Sequence, residues 1–75
     1  MFTLVVGPPG SGKSVWSRAW VQQGPSSRVA VDRPVDDRLI LEWHASGLDV
    51  AIEVQSLEDA LAVLPEDAVY NVISL

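Results

Sequence analysis

The sequence predicts a small α/β fold, a mostly parallel four-stranded sheet with about three helices. Short runs of β-branched and aliphatic residues alternate along the chain with segments in which apolar residues recur every three or four positions. Glycine and proline residues separate these segments. The alternation is typical of βαβ units, in which parallel strands form the sheet and helices cover its faces. With 75 residues, 48% of them hydrophobic, the chain is expected to form one domain over residues 1–75.

The first half of the chain contains two predicted strands and one predicted helix. Phe2–Val6 is an apolar run that a Gly-Pro-Pro-Gly segment ends, as is typical of a strand buried on both faces. A helix is predicted over Lys13–Gln23, where apolar residues have helical spacing and a Gly-Pro pair follows. Arg28–Asp32 is the second strand. It must end before Pro34, because proline lacks the N–H group that a central ladder needs.

The second half contains two more helices and two more strands. A helix is predicted over 36–46, since a glycine placed to stop it comes next. Asp49–Val54 is the third strand. A helix over 56–64 begins at Ser56, which with the acidic residue three positions later matches a capping box. The last strand is predicted over 68–74.

The charge distribution limits the classes of function. The formal net charge is −5, which argues against general nucleic-acid binding, because that binding depends on neutralising phosphates with basic residues. Any anion site is expected in the first half of the chain, which holds all the basic residues, whereas the acidic second half is typical of a solvated surface. The basic residues are Lys13, Arg18, Arg28, Arg33 and Arg38.

Cysteine content and hydropathy bear on disulfide bonds and on the expected cellular location. The chain has no cysteine, which excludes disulfides and cysteine-ligated metal sites. No apolar run approaches the roughly 20 residues that cross a bilayer, and the start lacks the basic flank of a signal peptide. We therefore expect a cytoplasmic protein with no membrane partner. Because so small a sheet leaves an edge open, we also expect a homo-oligomer or a protein partner.

The segment between the first strand and the first helix matches a phosphate-binding loop. Residues 7–14 read GPPGSGKS and fit the pattern G-x-x-x-x-G-K-[ST] at every fixed position. Glycines allow positive φ angles, so that successive N–H groups turn towards an anion, and the helix N-terminus adds partial positive charge. The lysine would reach the β- and γ-phosphates of a nucleotide, and the last serine would bind Mg²⁺. The predicted binding residues are Gly7, Gly10, Ser11, Gly12, Lys13 and Ser14.

These residues resemble the P-loop NTPase superfamily, and the run GPPGSGKSVWSRAWV resembles the start of the polynucleotide-kinase-like P-loop kinases. The resemblance implies a minimal P-loop fold that uses Mg²⁺ together with ATP or GTP. In those kinases a segment after the second strand supplies the catalytic base and an arginine that contacts phosphate. In this chain the matching stretch is residues 32–38. The resemblance implies that Asp36 or Asp37 is the base and that Arg38 contacts phosphate, with Lys13 as a further catalytic residue.

An acidic residue at a strand end is the second group expected beside the magnesium ion. Asp32 ends the apolar run of the second strand, as a Walker B acid does, whereas Glu53 lies inside the third strand. The sequence therefore favours Asp32 over Glu53 for this role, although aspartate is also common at strand-end turns.

Different classes of function remain open. The first is binding of a Mg-nucleoside triphosphate with little or no hydrolysis or kinase activity by the chain alone, because no basic residue follows Arg38 and no lid is recognisable. The second is a non-enzymatic, phage-type regulatory module that keeps a shortened P-loop fold and docks on a host protein. A ring subunit that receives an arginine from its neighbour fits the same features. The chain is thus a possible NTPase or P-loop kinase.

Overall fold

The computed structural model describes residues 1–32 and 36–75. In this part of the chain, strands and helices alternate in the predicted order. No helix in it is both long enough and apolar enough to cross a membrane. The elements are β1 Phe2–Val6, α1 Lys13–Gln23, β2 Arg28–Asp32, α2 Asp37–Ala45, β3 Asp49–Val54, α3 Leu57–Leu61 and β4 Tyr70–Ser74.

The four strands form one sheet in the order β2-β3-β1-β4, and every neighbouring pair is parallel. The predicted fold class, a small α/β fold with a parallel four-stranded sheet and three helices, is confirmed. β1 lies between β3 and β4. Because the strands are parallel, their carboxyl ends meet at one edge of the sheet, and the loop after β1 lies at that edge.

The hydrophobic core lies between the sheet and the helices α2 and α3. Phe2 and Leu4 from β1 and Ile52 from β3 are buried there against Ile40 of α2 and Ala60 of α3. Full burial of such aliphatic and aromatic side chains contributes about 1.5–3 kcal/mol each. Side chains alternate along a strand, so the residues between these core positions point to the opposite face, where α1 packs.

The helix ends differ slightly from the predicted ones. α2 has Asp36 and Ser46 as its caps, so the predicted span 36–46 includes both flanking residues. Gly47 follows with a φ of 74° and ends α2 as predicted, because this left-handed conformation suits glycine. α3 ends at Leu61 rather than at residue 64, since the chain tightens there into a bond from the Val63 N–H to the Ala60 carbonyl.

The start of α3 corrects one local prediction. Ser56 is the N-cap residue and has the extended backbone expected there, but its hydroxyl makes no cap hydrogen bond within the described part of the chain. The predicted capping box is therefore wrong, although the predicted helix start is confirmed. Leu57 and Leu61 are 37% and 41% exposed, whereas Ala60 is fully buried. A helix of this length presents one narrow face to the sheet, and the small alanine occupies it.

Candidate nucleotide site

The loop after β1 crosses the carboxyl edge of the sheet and leads directly into α1. Gly10 and Gly12 have φ angles of 81° and 94°, in the left-handed region that other residues rarely adopt. The Ser11 N–H donates to the Pro8 carbonyl at 3.2 Å, which closes a turn inside the loop. The glycines therefore allow the tight path that the sequence pattern predicts for a phosphate-binding loop.

The N-terminus of α1 is open to an anion. Its N-cap residue is Gly12, which has no side chain to cap the helix, and its first turn contains no acidic residue. The first intrahelical bond runs from the Trp16 N–H to the Gly12 carbonyl, so the N–H groups before it have no partner within the helix. Together with the helix dipole, these N–H groups can bind a phosphate.

The Lys13 side chain folds back over the same loop. Its Nζ donates to the carbonyl of Gly7 at 2.5 Å and to that of Pro8 at 3.0 Å. These bonds hold the ammonium group at the loop, next to the open helix terminus. The loop thus combines a full positive charge with backbone donors, as recognition of a polyphosphate requires.

A hydrogen bond joins the first turn of α1 to β3. The Ser14 hydroxyl donates to Oε1 of Glu53 at 3.2 Å. Glu53 is only 9% exposed, and it is the register partner of Val5 on β1. A buried carboxylate needs such a partner to offset the cost of losing water. The bond also places α1 over the sheet face that carries Glu53.

A cleft of about 770 Å³ lies in front of the loop. Asp32 and Glu53, which are register partners on β2 and β3, both contribute to its wall, although Asp32 is exposed and Glu53 is buried. The residues that line the cleft include Gly10, Gly12, Lys13 and Ser14 of the loop and first helical turn, together with Asp32, Glu53, Gln55 and Asp59. The structure thus brings together most of the predicted binding residues and the predicted metal-side acid.

Glu53 is the site residue that sequence reasoning set aside. It precedes the last residue of β3, so it does not mark a strand end as Asp32 does. Its proximity to Ser14 depends on β3 lying next to β1 and on the alternation of side chains along the strand. The sequence does not state which strand neighbours β1, so no signal in a single strand could have ranked Glu53 first.

Gly7 and Ser11 have structural positions within the loop. Gly7 is buried, and a Cβ atom there would lie 2.6 Å from Ser11 Oγ and 3.0 Å from the Leu75 carbonyl oxygen. Ser11 Oγ is itself buried without a hydrogen-bond partner in the described part of the chain. A side chain at position 7 would therefore crowd Ser11 and the Leu75 carbonyl oxygen, so glycine suits the close approach of the chain there. The Ser11 side chain faces Gly7, and its N–H donates to the Pro8 carbonyl, so both groups of Ser11 are directed into the loop itself.

The predicted catalytic segment lies partly outside the described residues. Residues 33–35 and the side chain of Asp37 are outside them, so the structure does not place Asp37 as a base. Asp36 caps α2, where its Oδ1 accepts from the Arg38 N–H at 2.9 Å and lies 3.9 Å from the Arg38 Nε. The Arg38 side chain is 90% exposed. As described, Asp36 and Arg38 contact each other and do not line the cleft.

The parallel sheet and the glycine loop that joins its inner strand to a helix define a P-loop domain. A family model described as an AAA domain matches residues 2–69. The chain belongs to this family, and so to the P-loop superfamily, as a kinase-like nucleotide-binding domain. Searches of curated proteins and of solved structures gave no match.

Proposed function

We propose that this protein binds the phosphates of a Mg-nucleoside triphosphate, ATP or GTP, through residues 7–14, and that it does so in the cytoplasm. The observation that carries the proposal is the N-terminus of α1. A capping side chain would compete with a phosphate for the N–H groups, and an acid in the first turn would repel it, but α1 has neither. Lys13 adds the one full positive charge at the loop.

The residues beside the loop fit a magnesium ion. Ser14 and Glu53 offer a hydroxyl and a carboxylate that already lie within hydrogen-bond distance, and Mg²⁺ prefers oxygen ligands. Among the described residues, no group of three or more His, Cys, Asp or Glu side chains could hold a metal alone. Magnesium commonly binds through one or two carboxylates and the phosphates of the nucleotide. We propose Ser14 and Glu53 as its protein partners, with Asp32 beside them, and the bound ion would neutralise phosphate charge.

We further propose that the isolated chain has little or no hydrolytic or phosphoryl-transfer activity. An arginine that contacts the transferring phosphate contributes about 10³–10⁵ in rate. Of the described arginines, none lines the cleft. Arg28 lies over the Trp20 ring at 4.4 Å and donates to the Trp20 carbonyl, and Arg38 contacts Asp36. A kcat above about 1 s⁻¹, the lower end for kinases, would overturn this part of the proposal.

The resemblance to polynucleotide-kinase-like kinases makes Arg38→Ala a useful variant in the same kcat measurement. If wild type is active and Arg38→Ala removes the activity without weakening nucleotide binding, the segment that contains Arg38 contacts the acceptor during transfer. The protein is then a kinase of that type, with Asp36 or Asp37 as its base. If Arg38→Ala leaves the activity unchanged, the protein is an NTPase whose positive group lies elsewhere.

The alternative function is a non-enzymatic module that docks on a host protein. The observation that favours it is β4, whose residues are largely exposed on both faces of the sheet. In this scheme the loop has a structural role only. A ring subunit that receives an arginine from its neighbour is the other arrangement, and it would assemble when nucleotide is present. Nucleotide titration separates the binding protein from the docking module, and size measurement with and without nucleotide tests the ring.

Isothermal titration with ATP and GTP, with and without Mg²⁺, tests the main proposal. Wild type is expected to bind in a Mg-dependent manner, and Lys13→Ala is expected to lose binding at millimolar nucleotide, since the lysine is the charge at the loop. Arg18→Ala is the matched control, because it removes one positive charge from an exposed position of the same helix outside the cleft. Absence of Mg-dependent binding by wild type would contradict the proposal. An equal loss in Arg18→Ala would show that only net charge matters.

A further inference from the structure

Two helices begin near the carboxyl edge of the sheet, and their first turns differ in charge. α1 follows β1 and has no acidic residue in its first turn. α3 follows β3 and has two, Glu58 and Asp59. Acidic residues in a first turn offset the partial positive charge of the helix N-terminus and repel an anion. A phosphate is therefore directed towards α1 and away from α3.

One of these two carboxylates faces the candidate nucleotide site. Asp59 lines the cleft that Lys13 also lines, whereas Glu58 does not line it. Both residues are exposed and adjacent on the same short helix. They point in different directions, because successive side chains rotate around a helix axis. The same charge is thus present inside the cleft at position 59 and outside it at position 58.

The described residues that line the cleft carry more negative than positive charge. Lys13 is the one basic residue among them, and the acidic ones are Asp32, Glu53 and Asp59. A concave surface lined by one sign of charge repels ligands of that sign. A metal-free triphosphate brings its whole negative charge into the cleft. A bound Mg²⁺ ion neutralises part of that charge, so the magnesium complex is repelled less.

Asp59 differs from the other two carboxylates in its relation to the proposed magnesium ion. Glu53 accepts the hydrogen bond from Ser14, and Asp32 is the register partner of Glu53 on β2. Among the described residues, no group of three or more His, Cys, Asp or Glu side chains could hold a metal. Asp59 therefore does not join Asp32 and Glu53 as a third ligand, and its charge acts on whatever else enters the cleft.

We propose that Asp59 is a specificity-determining residue, which makes the site reject metal-free nucleotide in favour of the magnesium complex. This inference rests on the proposed nucleotide binding and deepens it. Lys13 and the N–H groups of α1 attract any polyphosphate, whether or not a metal is bound. The carboxylate of Asp59 opposes that attraction, and it does so most strongly when no cation offsets the phosphate charge.

Isothermal titration of Asp59→Asn with ATP and GTP, in Mg²⁺ and in EDTA, tests the inference. The variant is expected to bind metal-free nucleotide at least about threefold more tightly than wild type, because it removes one like charge from the cleft. Binding of the magnesium complex should change less. Glu58→Gln is the matched control, since it removes the same charge from the neighbouring exposed position outside the cleft. It should leave both affinities close to those of wild type.

Salt dependence provides a second measurement. Asp59 is exposed, so the difference between Asp59→Asn and wild type in EDTA should shrink as ionic strength rises from about 0.01 M to about 0.15 M. Equal gains in Asp59→Asn and Glu58→Gln would overturn the inference, because only net charge would then matter. Weaker binding of the magnesium complex by Asp59→Asn, without a gain in EDTA, would overturn it by making Asp59 a metal partner.

The same titrations separate this inference from the proposed function. If wild type binds neither nucleotide in Mg²⁺, the proposed function fails and the inference fails with it. If wild type binds the magnesium complex and Asp59→Asn shows no gain in EDTA, the inference alone is overturned.

Discussion

The two strands that flank β1 have opposite environments, although both pair with it in the same parallel manner. One row across the sheet shows the contrast. Ile52 of β3, Leu4 of β1 and Val72 of β4 are register partners and point to one face. Ile52 and Leu4 are fully buried, whereas Val72 is 41% exposed.

The difference comes from the helices and not from the residue types. All three side chains in the row are aliphatic, and all three lie in strands of similar length. β3 contacts α1 on one face and α2 and α3 on the other, whereas β4 contacts only β1 among the described elements. Helical cover therefore decides which strand belongs to the core. The covered strand carries Glu53, which contacts Ser14 of the candidate site.

The largest expected effect distinguishes the two strands by their contribution to stability. Ile52→Ala should lower the free energy of unfolding by about 2–5 kcal/mol, because it removes a fully buried side chain and leaves a cavity. Val72→Ala should cost less than about 1 kcal/mol, since its side chain is already partly in water. Urea denaturation followed by circular dichroism measures both.

These unfolding experiments should use the lowest protein concentration that gives a signal, so that self-association contributes little. Leu4→Ala serves as the reference for the row, because Leu4 is as buried as Ile52. Similar costs for Ile52→Ala and Val72→Ala in the monomer would show that β4 is covered in solution.

The next effect concerns the site on the covered strand. Glu53→Gln should lower the apparent affinity for Mg²⁺ in the presence of nucleotide by about tenfold, because loss of a group that orients a metal site typically has this effect on metal affinity. Asp32→Asn is the matched variant at the neighbouring register position and should have a smaller effect, since Asp32 is exposed. Titration of Mg²⁺ at constant nucleotide measures both.

The relative size of these two effects shows which carboxylate is the main partner of the magnesium ion. If Asp32→Asn lowers the apparent affinity for Mg²⁺ more than Glu53→Gln does, then Asp32 is that partner, as the sequence alone favours. If neither variant changes it, the loop binds nucleotide without a protein carboxylate at the metal.

The smallest expected effect is at the N-cap of α2, which lies on neither of the two compared strands, β3 and β4. Asp36→Ala should lower stability by about 1 kcal/mol, since it removes the side-chain bond that caps α2. Nucleotide affinity should not change, because Asp36 does not line the described cleft. Thermal unfolding measures the first quantity, and titration measures the second. A clear loss of affinity would indicate that the start of α2 approaches the nucleotide.

Most of the local structure could be predicted from the sequence. The bounds of β1, α1, β2 and β3 agree with the predicted ones, because each is a run of uniform pattern between glycine, proline or polar residues. The ends of α3 and β4 were less accurate, since their apolar residues are partly exposed and do not mark a clear boundary. The loop was identified from its pattern alone, and Gly10 and Gly12 have the positive φ angles that the pattern implies.

The amino-acid sequence by itself determined the fold class, the loop over residues 7–14 and the presence of a single lysine there. These depend on short stretches of chain, in which spacing and residue type are directly visible. Only the tertiary structure decided that Glu53 meets Ser14, that Asp36 and Arg38 contact each other, and that β4 is an uncovered edge. Strand order and helical cover set these outcomes, because they depend on contacts between residues far apart in the chain.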